Sequence, residues 1–325
     1  MGNKEKTGIL SSGRNRRLLL KRKSDVVFIY VFLLVFIIAA NLINSRFGST
    51  RNIRNLLISN FGLLFAAYAQ MFVVVLGGVD LSVASVISLT NVLCITLIND
   101  NPATWFLAAA VSLAAGAGVG LVNGLLVVHG GLQPLIATLA TQTFFAGVAL
   151  WIMPGPSGTL PGALCKFVTK GWNYAFPMIL AVIVTVAVWL LLNRTSFGRS
   201  ILATGGSENS ARSSGIPVGT VKIKTFILSG LIAAFAGLFI SAFATSGHPL
   251  IGEAYSQRSI TAAVVGGASL AGGRGSVIGC IAAAGILGII SNILNLTGAS
   301  SYYQYVLQGV LLIAALTISA LRANK

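Results

Sequence analysis

Gly77-Gly78-Val79-Asp80-Leu81-Ser82-Val83-Ala84-Ser85-Val86-Ile87-Ser88-Leu89-Thr90-Asn91 sets one carboxylate behind a pair of glycines in an otherwise apolar chain. The 22 residues before Gly77 carry no charge, nor do the 19 after Asp80, which places Asp80 in or beside a bilayer. An aspartate at the centre of a membrane helix costs about 2.5 to 3.5 kcal/mol on insertion scales, so water, backbone amides or function must compensate it.

The rest of the chain agrees. Hydrophobic residues make up 55% of 325 and charged residues 9%, more apolar than a soluble core requires. The expected class is an all-α polytopic membrane protein. Lys plus Arg number 22 against 6 Asp plus Glu. In a membrane chain that excess marks cytoplasmic loops and not nucleic-acid binding. Cys94, Cys165 and Cys280 are odd in number and far apart, which fits neither a disulfide framework nor a metal site. His129 and His248 each stand alone, without a second ligand at metal-binding spacing.

A spanning helix needs about 20 apolar residues. On that measure about ten crossings fit, some short or broken, at 26-43, 56-76, 81-98, 104-128, 135-153, 177-193, 225-245, 259-271, 275-292 and 304-321. Residues 259-292 are tight for two spans, and a re-entrant hairpin or two half-helices is the alternative there. The basic residues Lys4, Lys6, Arg14, Arg16, Arg17, Lys21, Arg22 and Lys23 hold the 1-25 tail in the cytoplasm, and the 322-325 tail, with Arg322 and Lys325, favours the same side, which demands an even number of crossings. Between them lies a 26-321 membrane domain. Its 194-224 segment, five basic residues against Glu208 alone, is the strongest internal cytoplasmic signal. Arg46, Arg51 and Arg54 run against the rule, since they fall in an outward-facing loop. The 154-176 loop, with Pro154, Pro156, Trp172, Tyr174 and Phe176, reads as external.

Asp80 and Ser82 can cap a helix freed by Gly77 and Gly78. They can also mark a helix break beside a translocation path, where irregular backbone survives against protein or water. The two readings are compatible. Thr90, Asn91, Thr138, Thr141, Gln142 and Thr143 are polar within apolar surroundings. Such groups either bond helix to helix or line a path for a hydroxyl-rich solute. The small residues of 114-120 and 282-288 predict close helix packing. Gly77-Gly78 is echoed by Gly266-Gly267, a possible mark of internal repetition. None of the nine lysines follows a glycine, so the chain has no phosphate cradle and should not hydrolyse ATP. No relay of acids and histidines crosses the spans, which weakens an ion-coupled secondary carrier of a sugar or metabolite, the alternative reading.

Four blocks then carry a resemblance: Gly77-Gly78-Val79-Asp80-Leu81-Ser82-Val83; Asn123-Gly124-Leu125-Leu126-Val127 with Pro134-Leu135-Ile136-Ala137-Thr138-Leu139; Phe197-Gly198-Arg199 with Gly205 to Ile216; and Gly266 to Ser276. A tail of Asn295-Leu296-Thr297-Gly298 to Tyr302-Tyr303-Gln304 follows them. In this order the chain resembles the membrane permease subunits of bacterial ABC importers for ribose and related monosaccharides. The resemblance implies a multi-pass inner-membrane permease that is not an enzyme and holds no cofactor or metal. It implies four kinds of partner: a cytoplasmic ABC ATPase, a second permease copy or homologous permease, a periplasmic or lipid-anchored sugar-binding protein, and membrane lipid. The translocation path would draw on Asp80, Ser82, Thr90, Asn91, Asn123, Thr138, Thr141 and Gln142. The ATPase would dock on Arg199, Glu208, Ala211, Arg212, Gly215 and Arg274. The chain departs from the family's pattern at Ser256-Gln257-Arg258, where an acid is common, and at Ala146, where an arginine is. Both departures bear on which sugar is carried and on whether like or unlike permeases pair.

Overall fold

The computed structural model describes residues 27-98 and 101-300, with positions 302, 303, 306, 307, 309, 310, 313 and 317 beyond them. The basic 1-25 tail, the 322-325 tail and most of the expected 304-321 span lie outside the described residues. The eight positions described beyond residue 300 are helical.

The order is α1 Val27–Ile43, α2 Thr50–Val75, α3 Ser82–Ile98, α4 Trp105–Val128, α5 Pro134–Ile152, α6 Gly162–Lys170, α7 Ala175–Arg194, α8 Ser196–Gly206, α9 Glu208–Ser213, α10 Val218–Ala244, α11 Glu253–Val265 and α12 Val277–Leu296. Two short strands, β1 Ser157–Thr159 and β2 Ser246–Gly247, pair antiparallel. Among the described residues six helices, α2, α4, α5, α7, α10 and α12, are long and apolar enough to cross a membrane, and α1 and α3 are shorter apolar helices. The protein is an all-α polytopic membrane protein.

Helix α2 is the axis. Ser49 caps its start by accepting from Asn52 N–H at 3.3 Å, and every residue from Phe61 to Val75 is buried. Phe65 meets Phe235 and Phe239 of α10 edge-on, with ring centroids 5.2 and 5.8 Å apart. Tyr68 reaches Thr185 of α7, hydroxyl to hydroxyl, at 3.0 Å. Helices α4 and α10 meet backbone to backbone. Gly116, Gly120 and Gly124 recur every four residues along one face of α4, and a methyl on any of them would collide with the backbone of α10 between Ile223 and Gly230. The packing expected of the 114-120 stretch is thus present, as close contact that only a missing side chain permits.

The 259-271 expectation needs correction. The helix there is α11, Glu253–Val265, displaced toward the N-terminus and only 13 residues long. At 1.5 Å per residue it spans about 20 Å, short of the roughly 30 Å of hydrocarbon. It ends because Gly266 and Gly267 follow, Gly267 at a left-handed φ of 97°. The 275-292 span is α12, capped by Ser276 accepting from Gly279 N–H at 3.1 Å.

Loops sort to the two ends of the bundle. At one end lie the turns after α2 and α11, the 129-133 loop, and α8 with α9. Gly77 there approaches Ala271 and Gly272, and a Cβ on Gly78 would sit 2.9 Å from Pro134 Cβ. At the other end Asn52 and Asn292 exchange side-chain hydrogen bonds at 2.9 and 3.0 Å, Asn44 Nδ2 donates to Leu296 O at 3.3 Å, and Leu160 N–H donates to Thr245 O at 3.0 Å.

Candidate functional site

Between α2 and α3 the chain leaves helical geometry for a few residues, and Gly77, at a φ of 84°, makes the turn. Asp80 then lies inside the bundle at 2% exposure. Its Oδ1 accepts from Ser82 N–H at 3.0 Å and Ser82 Oγ at 2.6 Å, and its Oδ2 accepts from Ser229 Oγ of α10 at 2.9 Å. The amide of Gln70, oriented so that both its atoms are satisfied, bonds the backbone of the same residue: its nitrogen donates to Asp80 O at 2.8 Å and its oxygen accepts from Asp80 N–H at 3.1 Å. Asp80 thus accepts from the first amide of α3, as a cap does, whereas Ser82 Oγ caps no backbone amide and carries the bonding onward into a hub.

From Ser82 the hub spreads. Asn123 Nδ2 of α4 donates to Ser82 Oγ at 2.7 Å, and Thr141 Oγ1 of α5 donates to Asn123 Oδ1 at 2.6 Å. Thr138 Oγ1 accepts from Leu81 N–H at 3.1 Å and lies 3.1 Å from Val79 O. Five helices, α2, α3, α4, α5 and α10, are therefore tied at one break. Of the side chains expected along a path, Asp80, Ser82, Asn123, Thr138 and Thr141 come together here, all buried. Gln142 is half-buried, and no hydrogen bond joins it to the group. Thr90 and Asn91 belong elsewhere.

Asn91 serves a second irregular segment. After α10 ends at Ala244, residues 246-252 run without helix along α3. Asn91 Oδ1 accepts from His248 N–H at 2.7 Å while its Nδ2 donates to Ser246 O at 3.3 Å and Ser241 Oγ at 2.9 Å. One helical turn nearer Asp80, Ser88 Oγ accepts from Gly252 N–H at 3.0 Å. A Cβ on Gly252 would overlap Ala84 O. The segment thus penetrates to the first turn of α3 before α11 begins. Non-helical backbone at this depth persists because side chains supply what a helix would have supplied. Thr90 packs where a Cβ on Gly237 of α10 would lie 2.8 Å from its own Cβ.

The side chains expected to dock an ATPase gather at the end that carries the Asp80 break. Arg199, Arg212, Gly215 and Arg274 are exposed, while Ala211 is buried at 3%. Glu208, on α9, pairs with Lys222 of α10. Helix α8 is clasped to the break itself. Gly273 N–H donates to Val75 O at 2.8 Å, and a methyl on Gly205 would overlap that same carbonyl. One on Gly272 would overlap Gly205 O. The residues expected to dock an ATPase and the Asp80 turn are therefore joined through three stretches of backbone.

Reading the sequence alone missed Gln70, Ser88, Ser229 and Ser241. Each is an ordinary polar side chain on an apolar helix, and the partners of Ser88, Ser229 and Ser241 are far away in sequence. Among the described residues no group of three His, Cys, Asp or Glu is placed to hold a metal.

A bundle of long apolar helices, broken at a buried polar hub and entered by an unwound segment, is the architecture of an integral membrane permease. The chain belongs to the family described as branched-chain amino acid transport system / permease component, whose profile matches residues 52-316. It is 38% identical over 297 residues to the ribose import permease protein RbsC of Bacillus subtilis, covering 90% of this chain and 91% of that one. The L-arabinose transport system permease protein AraH of Escherichia coli is 37% identical over 88% of this chain and 87% of its own. The D-allose transport system permease protein AlsC of Escherichia coli is 32% identical over 89% and 90%. No solved structure matches the chain. It is a non-catalytic transport subunit of the ABC-importer type and a multi-pass inner-membrane protein.

Proposed function

We propose that this permease carries a monosaccharide, a pentose, hexose or related polyol, inward by alternating access, driven by ATP hydrolysis in a separate cytoplasmic subunit. The observation that supports it most is the pairing of two features at one end: exposed basic residues on α8, α9 and the 272-276 turn, and their backbone clasp to the Asp80 break. The named relatives carry ribose, L-arabinose and D-allose, which supports a monosaccharide cargo. In this reading the 194-224 segment is the coupling loop of a domain running from 26 to 321, about ten spans bring both short tails to the cytoplasm, and a second permease and a sugar-binding protein complete the assembly.

Asp80, Ser82, Thr90, Asn91, Asn123, Thr138, Thr141 and Gln142 frame the translocation path. In the conformation described, most of their polar atoms bond one another or the backbone, so what they set is the helix break and the unwound segment beside the path. Arg199, Arg212, Gly215 and Arg274 meet the ATPase, with Glu208 and Ala211 shaping α9 from behind.

Reconstitution tests this. The purified chain alone is expected to show no ATP hydrolysis, and the assembled complex to hydrolyse ATP faster with sugar-loaded binding protein present. Arg199→Glu with Arg212→Glu is expected to reduce ATPase retention on the permease by tenfold or more, since each desolvated charge at an interface contributes about 2 kcal/mol. Hydrolysis by the isolated chain, or uptake driven by a proton or sodium gradient without an ATPase, would defeat the proposal. Full assembly in the double variant would move the docking surface elsewhere.

A further inference from the structure

We propose that the start of α2 and the corner between α6 and α7 form a binding site for the phosphate headgroup of an anionic phospholipid. The starting point is a charge excess that the sequence leaves unexplained. Arg46, Arg51 and Arg54 precede or open α2, and Lys166 and Lys170 lie on α6; all but the half-buried Arg54 are exposed. Among the described residues none of these five has a carboxylate oxygen within 4.0 Å, and the Lys222–Glu208 ion pair is at the opposite end.

Arg54 and Lys170 meet at one residue, Tyr174. The Arg54 guanidinium carbon sits 5.0 Å from the centre of the Tyr174 ring. Tyr174 N–H donates to Lys170 O at 3.1 Å, which brings α6 to the same ring. A guanidinium laid on an aromatic face keeps its N–H edge outward, the geometry that grips a phosphate with two bonds. The turn is strained: Trp172, Asn173 and Tyr174 have φ of 49°, 55° and 72° in succession. That turn keeps Trp172 68% exposed, edge-on to Phe167 and Phe176 with centroids 6.1 and 5.8 Å away. Aromatic rings beside cations are the pattern of a bilayer interface. Directly along α7 from this corner run Ile179, Val182, Ile183 and Val186, all exposed, an apolar stripe for an acyl chain. Headgroup ligands thus stand above a tail surface. A soluble acidic protein would match the charges but would leave the rings and the stripe without a role.

The probe is Trp172 itself. In the full chain with Trp105→Phe, Trp151→Phe and Trp189→Phe, reconstituted in nanodiscs, phosphatidylglycerol brominated high on its acyl chains is expected to quench Trp172 at least about threefold more than brominated phosphatidylcholine at equal mole fraction. The preference should shrink with added salt. It should vanish in Arg51→Gln, Arg54→Gln, Lys170→Gln. Equal quenching by the two lipids, or a preference that survives the triple substitution, would overturn the proposal. So would emission that ignores both lipids and shifts with polyglutamate, which would assign the surface to a soluble acidic partner. Should the tryptophan replacements prevent folding, native mass spectrometry of the otherwise unaltered chain decides: phosphatidylglycerol retained by the parent and lost from the triple variant supports the site, and equal retention refutes it.

Discussion

Asp80 is a carboxylate that pairs with no cation among the described residues; its hydrogen-bond partners there are hydroxyls and amides. Asp80→Ala would strip the acceptor from Ser82 N–H, Ser82 Oγ and Ser229 Oγ. Each buried donor left unpaired costs about 1 to 3 kcal/mol, and the hydroxyls can turn to other partners, so a net loss of about 2 to 5 kcal/mol is expected. Asp80→Asn retains one oxygen and should lose less. Thermal unfolding of the two variants beside the parent, in one detergent, checks the order; coincident midpoints for Ala and parent would show that the hub contributes nothing to stability. Most of this hub was legible. Asp80 and Ser82 announce themselves because a charge behind two glycines cannot be idle in an apolar run. Ser229 could not be found, because it lies 149 residues away and looks like any serine in a membrane helix.

Helices in this bundle end and touch at glycines, and the glycines are not equivalent. A Cβ on Gly205 would overlap Val75 O, whereas its neighbour Gly206 has nothing within 4 Å. Neither backbone can retreat, since Val75 O already accepts from Gly273. Gly205→Ala is therefore expected to yield little folded protein, and Gly206→Ala near parental amounts; size-exclusion profiles after membrane extraction distinguish them, and equal monodisperse peaks would sink the clasp. The same scale explains the misplaced span. Hydropathy favours 259-271 because Glu253, Gln257 and Arg258 look like loop, yet α11 includes all three and stops at Val265. Its Arg258 Nη2 donates to Ser291 Oγ at 3.2 Å, a compensation invisible to composition. The glycine echo is partly structural. Both pairs follow the end of a helix, but the left-handed residue is the first of one pair and the second of the other, Gly77 and Gly267.

At the scale of the whole molecule, Lys170 and Lys222 lie at opposite ends of the bundle, one beside Tyr174 and the other paired with Glu208. Single cysteines at 170 and 222, in a chain freed of Cys94, Cys165 and Cys280, should label from opposite faces of the membrane; labelling from one face would refute the orientation. Class and family were legible because apolar length and a few glycine-rich blocks are local properties. The unwound 246-252 segment was not, because nothing in its own residues says that α3 supplies Asn91 and Ser88 to hold it. That segment sets the molecule apart from a plain bundle. Its place inside the bundle rests on the short β1–β2 pairing and on hydrogen bonds from a few side chains, with no helical ladder of its own. It is a tongue held from outside itself: the amide and hydroxyl groups that grip it belong to α3 and α10, so without it both helical ladders would stay whole and those polar groups would be open to other partners.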